Sequence, residues 1–255
     1  MATEFSTENP EISFLVTSYN FARYFGELFE SISWMNDQKI PYEVVFIDDG
    51  SVDETNKLVE EIKAGCLIQN FLVFLDHHKG VERILERFEL GVVLSRGKYI
   101  VPISADDFFD PVFFLKVLPE RSLDCLTFCN GYEYEGGNRT FKCTPTQLVD
   151  IYKTGEINTI FSSFKKHNSK LWLQGSIIPK CLFDGFNWPS FDYADDWSLV
   201  FELLKKCQNI NYRINFIDEC GFLHRKHERG TSANHGVHRE RVRLQREYIY
   251  ARLLQ

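Results

Sequence analysis

Three pairs of adjacent aspartates stand out as candidates for chemistry: Asp48-Asp49 in VVFIDDGSVDET, Asp106-Asp107 in YIVPISADDFFDP, and Asp195-Asp196 in YADDWSLVFELLKK. The first two pairs follow apolar runs that read as strands, and ligands of open α/β sheets bind where strands finish. At such a place Asp48 or Asp49 can accept from a base imide or a ribose hydroxyl. One carboxylate is enough to cap the helix that starts near Asp53, so the second exceeds what capping requires. Magnesium and manganese favour one or two carboxylates together with phosphate oxygens, a set that Asp106 and Asp107 can begin, although solvated loop acids have the same appearance. The third pair opens a helix, where one aspartate caps and the other can act as general base on a hydroxyl, a poor nucleophile while it keeps its proton.

The segment HRKHERGTS, residues 224–232, reads as a loop that brings histidines and cations to the acids. A histidine such as His227 can ligate a metal, and Arg225 or Lys226 can meet a diphosphate, while ordinary basic surface is the plainer alternative. The aromatic residues Trp188, Phe191, Tyr193 and Trp197 flank the third pair. Flat rings such as Trp188 or Tyr193 suit the C–H face of a sugar, and core packing suits them equally. Gln174 and Gly175 are a second candidate wall for an acceptor.

The elements that must position these residues alternate. Apolar runs at 12–17, 42–47, 71–75, 98–103 and 124–129 read as strands, with helices expected near 21–35, 53–64 and 80–95 and a short one after Pro111. Strand and helix in turn imply a mostly parallel sheet with right-handed crossovers, and continuously apolar strands imply burial on both faces. Residues 131–170 read as a variable polar insertion over one side of the cleft. Beyond it come a strand and turn at 175–183, a helix at 195–207, a strand at 211–217 and an amphipathic helix at 237–254.

The 255 residues, 44% apolar, suffice for one sizeable core, and 23 phenylalanines predict a core filled by rings. Net charge is −7, yet residues 224–255 carry eight Lys or Arg against three Glu, leaving −12 on the remainder. So acidic a body argues against nucleic acid as partner. Seven cysteines without a C-x-x-C pair suggest neither a disulfide framework nor a zinc site. With no leader pattern and no long apolar run, the expected location is cytoplasmic, at most peripheral on the membrane. The sequence lacks G-x-G-x-x-G, Walker A, G-x-S-x-G and H-E-x-x-H patterns, which turns the reading away from dehydrogenases, P-loop enzymes, serine hydrolases and zincins.

Taken in order, SFLVTSYNFARYFGELFESI, EVVFIDDGSVDET, GKYIVPISADDFFDP, YADDWSL and HRKHERGTS resemble the family 2 glycosyltransferases over about 220 residues. The resemblance implies an α/β chain of GT-A fold: a Rossmann-like, mostly parallel sheet flanked by helices, with a C-terminal acceptor-side region. It implies a single domain over 1–255, with a nucleotide-sugar half at 10–130, an acceptor-side half at 131–235 and a terminal helix at 236–255. The implied reaction is inverting transfer from a nucleotide sugar, UDP-linked in most of the family, to a hydroxyl of a saccharide or lipid-linked saccharide. Bacterial surface-polysaccharide synthesis, O-antigen included, is the implied setting.

Carried over position by position, Thr17, Tyr19, Asn20, Asp48, Asp49, Ser51 and Ala105 border the nucleotide. Asp106, with Asp107 and His227, holds Mn2+ or Mg2+, and Arg225, Lys226 and Ser232 meet the diphosphate. Asp196 is the base, and Gln174, Gly175, Trp188, Tyr193 and Asp195 line the acceptor site. The terminal helix either packs on its own domain or rests its arginines on anionic headgroups of the inner membrane surface. Three positions depart from the family pattern. Ser104 replaces the first acid of D-x-D, Asp195 replaces a glutamate, and the arginine-asparagine pair before the fourth strand is missing at Phe88-Glu89. The rival readings are a metal-dependent nucleotidyltransferase or phosphohydrolase, and an inactive nucleotide-sugar-binding subunit.

Overall fold

The computed structural model describes residues 9–65, 68, 70–75, 84–167, 171–189, 196–227, 240, 243–244 and 247–252. Strand β1 (Ile12–Ser18) pairs in parallel with β2 (Tyr42–Asp48) on one side and β4 (Tyr99–Ser104) on the other, and β3 (Phe71–Leu75) continues the sheet beyond β2. A short antiparallel strand, β8 (Ile178–Pro179), completes the order β3-β2-β1-β4-β8. Alternation along each strand sends side chains to opposite faces. Phe14, Val16, Val44, Phe46, Val101 and Ile103 join one apolar cluster, and Leu15, Val45, Ile47 and Ile100 join the other.

Helix α1 (Phe25–Ser33) covers the first face through Phe25, Leu28, Phe29 and Ile32, assisted by Val59 of α2 (Thr55–Ala64). On the second face lie α3 (Ile84–Leu94), with Leu85, Phe88 and Val92, and later helices. The rings interlock as the composition predicts: Phe25 and Phe46 lie 5.3 Å apart and Phe29 and Phe71 5.4 Å, each edge to face.

After β4 the chain makes the two-residue strand β5 (Phe108–Phe109) and a helical segment Phe113–Val117. A second, four-stranded sheet then forms in the order β5-β9-β6-β7, from β6 (Cys125–Glu135), β7 (Asn138–Lys142) and β9 (Arg213–Arg225). Strands β6 and β9 run parallel, and β5 joins β9 antiparallel.

Residues 131–170 correct the sequence reading of a variable polar insertion. They complete β6, form the β6–β7 hairpin, and supply α4 (Thr146–Lys153) and α5 (Ile157–His167). Leu148, Tyr152, Ile160 and Phe164 of these helices are buried in the same cluster as α6 (Asp196–Asn209). Their polar residues mask an apolar face at helical spacing, which composition alone does not reveal. A second correction concerns 224–232, read as a loop: His224 and Arg225 are the last residues of β9.

The described part of the terminal helix packs on the fold. Ile249 is fully buried, Tyr248 donates to Glu202 of α6 at 3.0 Å, and Arg252 pairs with the same carboxylate at 2.7 Å. Among the described residues no helix is long and apolar enough to cross a membrane, and cysteines 125, 129, 143, 181, 207 and 220 are free.

Candidate functional site

The carboxyl ends of β1, β2 and β4 lie side by side. Ser18 is opposite Asp48 and Thr17 is opposite Ser104, and the Asp49 and Ala105 amides extend the two ladders by donating to Ser18 and Thr17, both at 2.9 Å. Asp48 and the Asp106 turn thus flank one strand, at about two strand spacings of about 4.8 Å.

At the β2 end Gly50 takes φ +73° to turn the chain, and Asn20 adopts the left-handed region at +58°, which asparagine tolerates. The two loops are laced together. Asn20 accepts from the Val52 amide at 2.8 Å and its own amide donates to Ser51 Oγ at 2.7 Å, while Asp48 accepts from the Ser51 amide at 2.7 Å. Asp48 is 1% exposed, and burial pushes its carboxyl above the usual range against the opposing bonds from Ser51. Asp49 instead forms an ion pair with Arg87 of α3, itself buried. Thr17 and Tyr19 are half-buried beside them, whereas the Ala105 side chain is fully inside the apolar cluster and leaves only its backbone to the site.

At the β4 end two histidine–aspartate pairs run from the tip of β9 to the Asp106-Asp107 turn. His227 Nε2 lies 2.9 Å from Asp106 Oδ2, and Ser104 Oγ donates to Asp106 Oδ1. Burial acts to raise the Asp106 carboxyl, yet the His227 and Ser104 bonds and the charges of both histidines hold it below the ordinary range. The His227 ring is seated on Tyr24, with centroids 4.9 Å apart, and meets Phe21 edge to face at 5.7 Å.

Asp107 is bonded to β9. It is 1% exposed and bonded to the Arg225 amide at 2.9 Å and to His224 Nδ1 at 3.2 Å, so its oxygens tie the turn to β9. Burial raises its carboxyl; for His224 burial acts downward, but the Asp107 charge wins and lifts the imidazole above its ordinary value.

Arg225 and Lys226 are likewise committed to protein partners. The Arg225 guanidinium bonds the Asp106 carbonyl and Glu27, and Lys226 pairs with Glu133 at 2.8 Å. Among the described residues nearby, Arg23 is exposed; its guanidinium lies 4.5 Å over the Tyr24 ring that carries His227 and donates to the Tyr24 hydroxyl.

Among the described residues no group of three or more His, Cys, Asp or Glu is disposed to hold a metal ion. Asp106 and His227 nevertheless form a carboxylate–imidazole donor set in mutual contact, and divalent cations of this class complete their shells with phosphate oxygens and water. The pair fits such an ion.

On the acceptor side Gln174 Oε1 accepts from the Ser104 amide at 2.9 Å. Gly175 takes φ +67° with a Cβ position 3.1 Å from Cys129 Sγ, so it serves the turn. Trp188, half-buried, stacks on Phe183 at 5.4 Å and 7° and touches Phe186 and Phe88 of α3, so one side of its ring packs in an aromatic cluster. Asp196 is the half-buried first residue of α6. Tyr193, Asp195 and Ser232 lie outside the described residues.

Sequence reasoning missed Arg87, one position before the missing arginine-asparagine pair. The available signal was a lone cation on the apolar face LERFELGVVL. It also left His224 without a role and overlooked Tyr24 and Glu27, whose partners lie some two hundred residues away.

The profile of glycosyl transferase family 2 matches residues 13–175. EpsH of Bacillus subtilis (strain 168), a glycosyltransferase by name, is 25% identical over 71% of this chain and 46% of its own length. Dolichyl-phosphate beta-glucosyltransferase of Dictyostelium discoideum is 34% identical over 39% of this chain and 32% of its own. The chain therefore spans less than half of either curated relative.

Among solved structures, S. aureus TarS 1-349 in complex with UDP-GlcNAc matches 92% of this chain and 65% of its own with TM-score 0.65 at 17% identity. The mannosyltransferase PcManGT from Pyrobaculum calidifontis, in complex with GDP-Man and Mn2+, matches 97% of this chain and 65% of its own with TM-score 0.65 at 14% identity. At such identities the likeness establishes the architecture, which is that of the GT-A glycosyltransferases. With the profile covering well over half the sequence, the chain belongs to glycosyl transferase family 2.

Proposed function

We propose that the protein is an inverting glycosyltransferase that moves a sugar from a nucleotide-sugar donor, of the UDP-sugar class, to a hydroxyl of a saccharide or lipid-linked saccharide acceptor. The setting we infer is bacterial surface-polysaccharide synthesis at the cytoplasmic membrane face. The observation that carries the reading is the Asp106–His227 pair at the end of β4, with only β1 between it and buried Asp48 at the end of β2. UDP-GlcNAc in the TarS complex and GDP-Man in the PcManGT complex support a nucleotide-sugar donor.

In this reading the Asp48 carboxylate accepts from the nucleoside, and the Asn20–Ser51 lacing holds the loop that borders it. Asp106 and His227 would hold Mn2+ or Mg2+, whose positive charge would offset the charge that develops on the departing nucleoside diphosphate. Arg23 meets the same diphosphate from the exposed side of Tyr24. Asp196 takes the acceptor proton as the hydroxyl oxygen bonds the anomeric carbon. The bond to the diphosphate breaks on the opposite face, so configuration inverts.

Thermal denaturation against a panel of nucleotide sugars, with and without Mn2+, tests the proposal. A donor at about 100 times its dissociation constant stabilises the fold by about 2.7 kcal/mol. Release of an intact nucleoside diphosphate on adding acceptor separates sugar transfer from nucleotidyl transfer and phosphate hydrolysis. Stabilisation by no donor in the panel would overturn the reading. One observation favours a second reading, a binding subunit without turnover: Ser104 stands where the family has an acid and spends its hydroxyl on Asp106. Donor binding without any sugar transfer would select it.

A further inference from the structure

We propose that Arg225 is a positioning residue that sets the orientation of the Asp106 carboxylate, an inference that rests on the proposed donor site. Its guanidinium, 12% exposed, is clasped by three rings: Tyr24 at 4.8 Å, Phe108 at 5.0 Å and Tyr134 at 5.3 Å. These rings come from three separate segments: the turn before α1, β5 and β6. Inside the clasp Nε donates to the Asp106 carbonyl at 2.9 Å, and the guanidinium reaches Glu27 at 2.5 Å. The Arg225 amide also donates to Asp107 Oδ1 at 2.9 Å. One residue therefore grips the backbone of Asp106 and the side chain of its neighbour, while His227, two residues on, meets the Asp106 carboxylate itself.

The chemistry of the clasp selects arginine. A planar guanidinium stacks on several aromatic faces and directs its donors along fixed lines, whereas an ammonium is a point charge on a flexible stem. With Nε on the Asp106 carbonyl and Nη2 on Glu27, the guanidinium bears on the donor site through the turn it holds. Within ordinary β-strand alternation, His224 and Arg225 leave β9 on opposite sides. That arrangement lets adjacent residues brace the turn from two directions.

The test compares Arg225→Lys with Glu27→Gln, which loosens the outer end of the clasp and leaves the Asp106 bond in place. Long-range 15N–1H spectra of the His227 imidazole, recorded without donor, read the His227–Asp106 contact directly. The lysine variant is expected to shift or broaden the His227 signals while the thermal midpoint falls by only a few degrees. Glu27→Gln is expected to leave them near their wild-type positions. In binding, Arg225→Lys is expected to raise the half-saturating Mn2+ concentration, measured by electron paramagnetic resonance with UDP present, by about tenfold, and KM for acceptor is expected to stay unchanged. Unaltered His227 signals in the lysine variant would overturn the inference. Absence of Mn2+ and UDP binding by the wild-type protein would sink the donor-site reading instead, and the imidazole spectra would still decide whether Arg225 sets the turn.

Discussion

Asp48 carries a cost that its proposed work explains. A carboxylate 1% exposed, with its pKa raised mainly by burial, is less favourable when ionised than in water. Because the folded value lies above the unfolded value near 3.8, the group contributes most to stability below that pH, and the contribution is lost as pH rises through the raised folded value. Asparagine keeps one acceptor for Ser51 and carries no charge. Asp48→Asn is therefore expected to equal or exceed the wild type in thermal midpoint, with the advantage growing as pH rises from about 4 toward neutrality. Its affinity for donor is expected to fall, so a titration of melting temperature against pH, with and without nucleotide sugar, reads both effects. Asp196 invites a different substitution. Asp196→Asn is expected to lower turnover by about 10²- to 10⁴-fold while leaving donor-induced stabilisation intact, because proton transfer is lost and the nucleotide contacts remain. Near-normal turnover would assign the base elsewhere.

Two elements hold the site from a distance. The turn at Gln174-Gly175 docks on β4 through the Ser104 amide and the Pro102 carbonyl, and it needs a positive φ at Gly175. Gly175→Ala is expected to destabilise the fold by about 1–2 kcal/mol from the left-handed backbone alone. The added methyl also presses on Cys129 Sγ, so chemical denaturation should show a loss at or above that range. The terminal helix is anchored by Ile249, fully buried against the α5–α6 layer, and by its grip on Glu202. Ile249→Ala is expected to cost about 2–5 kcal/mol of stability, with donor binding unaffected where the protein remains folded. Persistence of wild-type stability would mean that this helix leaves the domain in solution.

Across the whole molecule, charge and packing bear on the membrane. The body is acidic and the last thirty-odd residues basic, yet Arg243 spends its charge on Glu240 and Glu247, and Ile249 faces the core. The described part of the helix thus has charge but no free apolar residue at Ile249 with which to enter a bilayer. Co-sedimentation with anionic vesicles is expected to be weak and to vanish as ionic strength rises to about 0.5 M, where the screening length is under about 5 Å. Binding that survives such salt would require apolar insertion and hence release of the helix.

The sequence by itself determined the parallel sheet, because buried parallel strands must be continuously apolar and YEVVFID or YIVPIS can be little else. It also determined which acids stand at strand ends, since a polar pair directly after such a run has nowhere else to go. It did not reveal the second sheet or the two helices of 146–167, whose apolar residues are spread at helical spacing through polar sequence. Only tertiary structure decided what each of these side chains meets: Asp49 meets Arg87, Asp107 meets His224, and Arg225 meets Tyr24, Glu27 and Tyr134. Residue type announces what a side chain can bind, but what it does bind depends on partners brought up from segments some two hundred positions away.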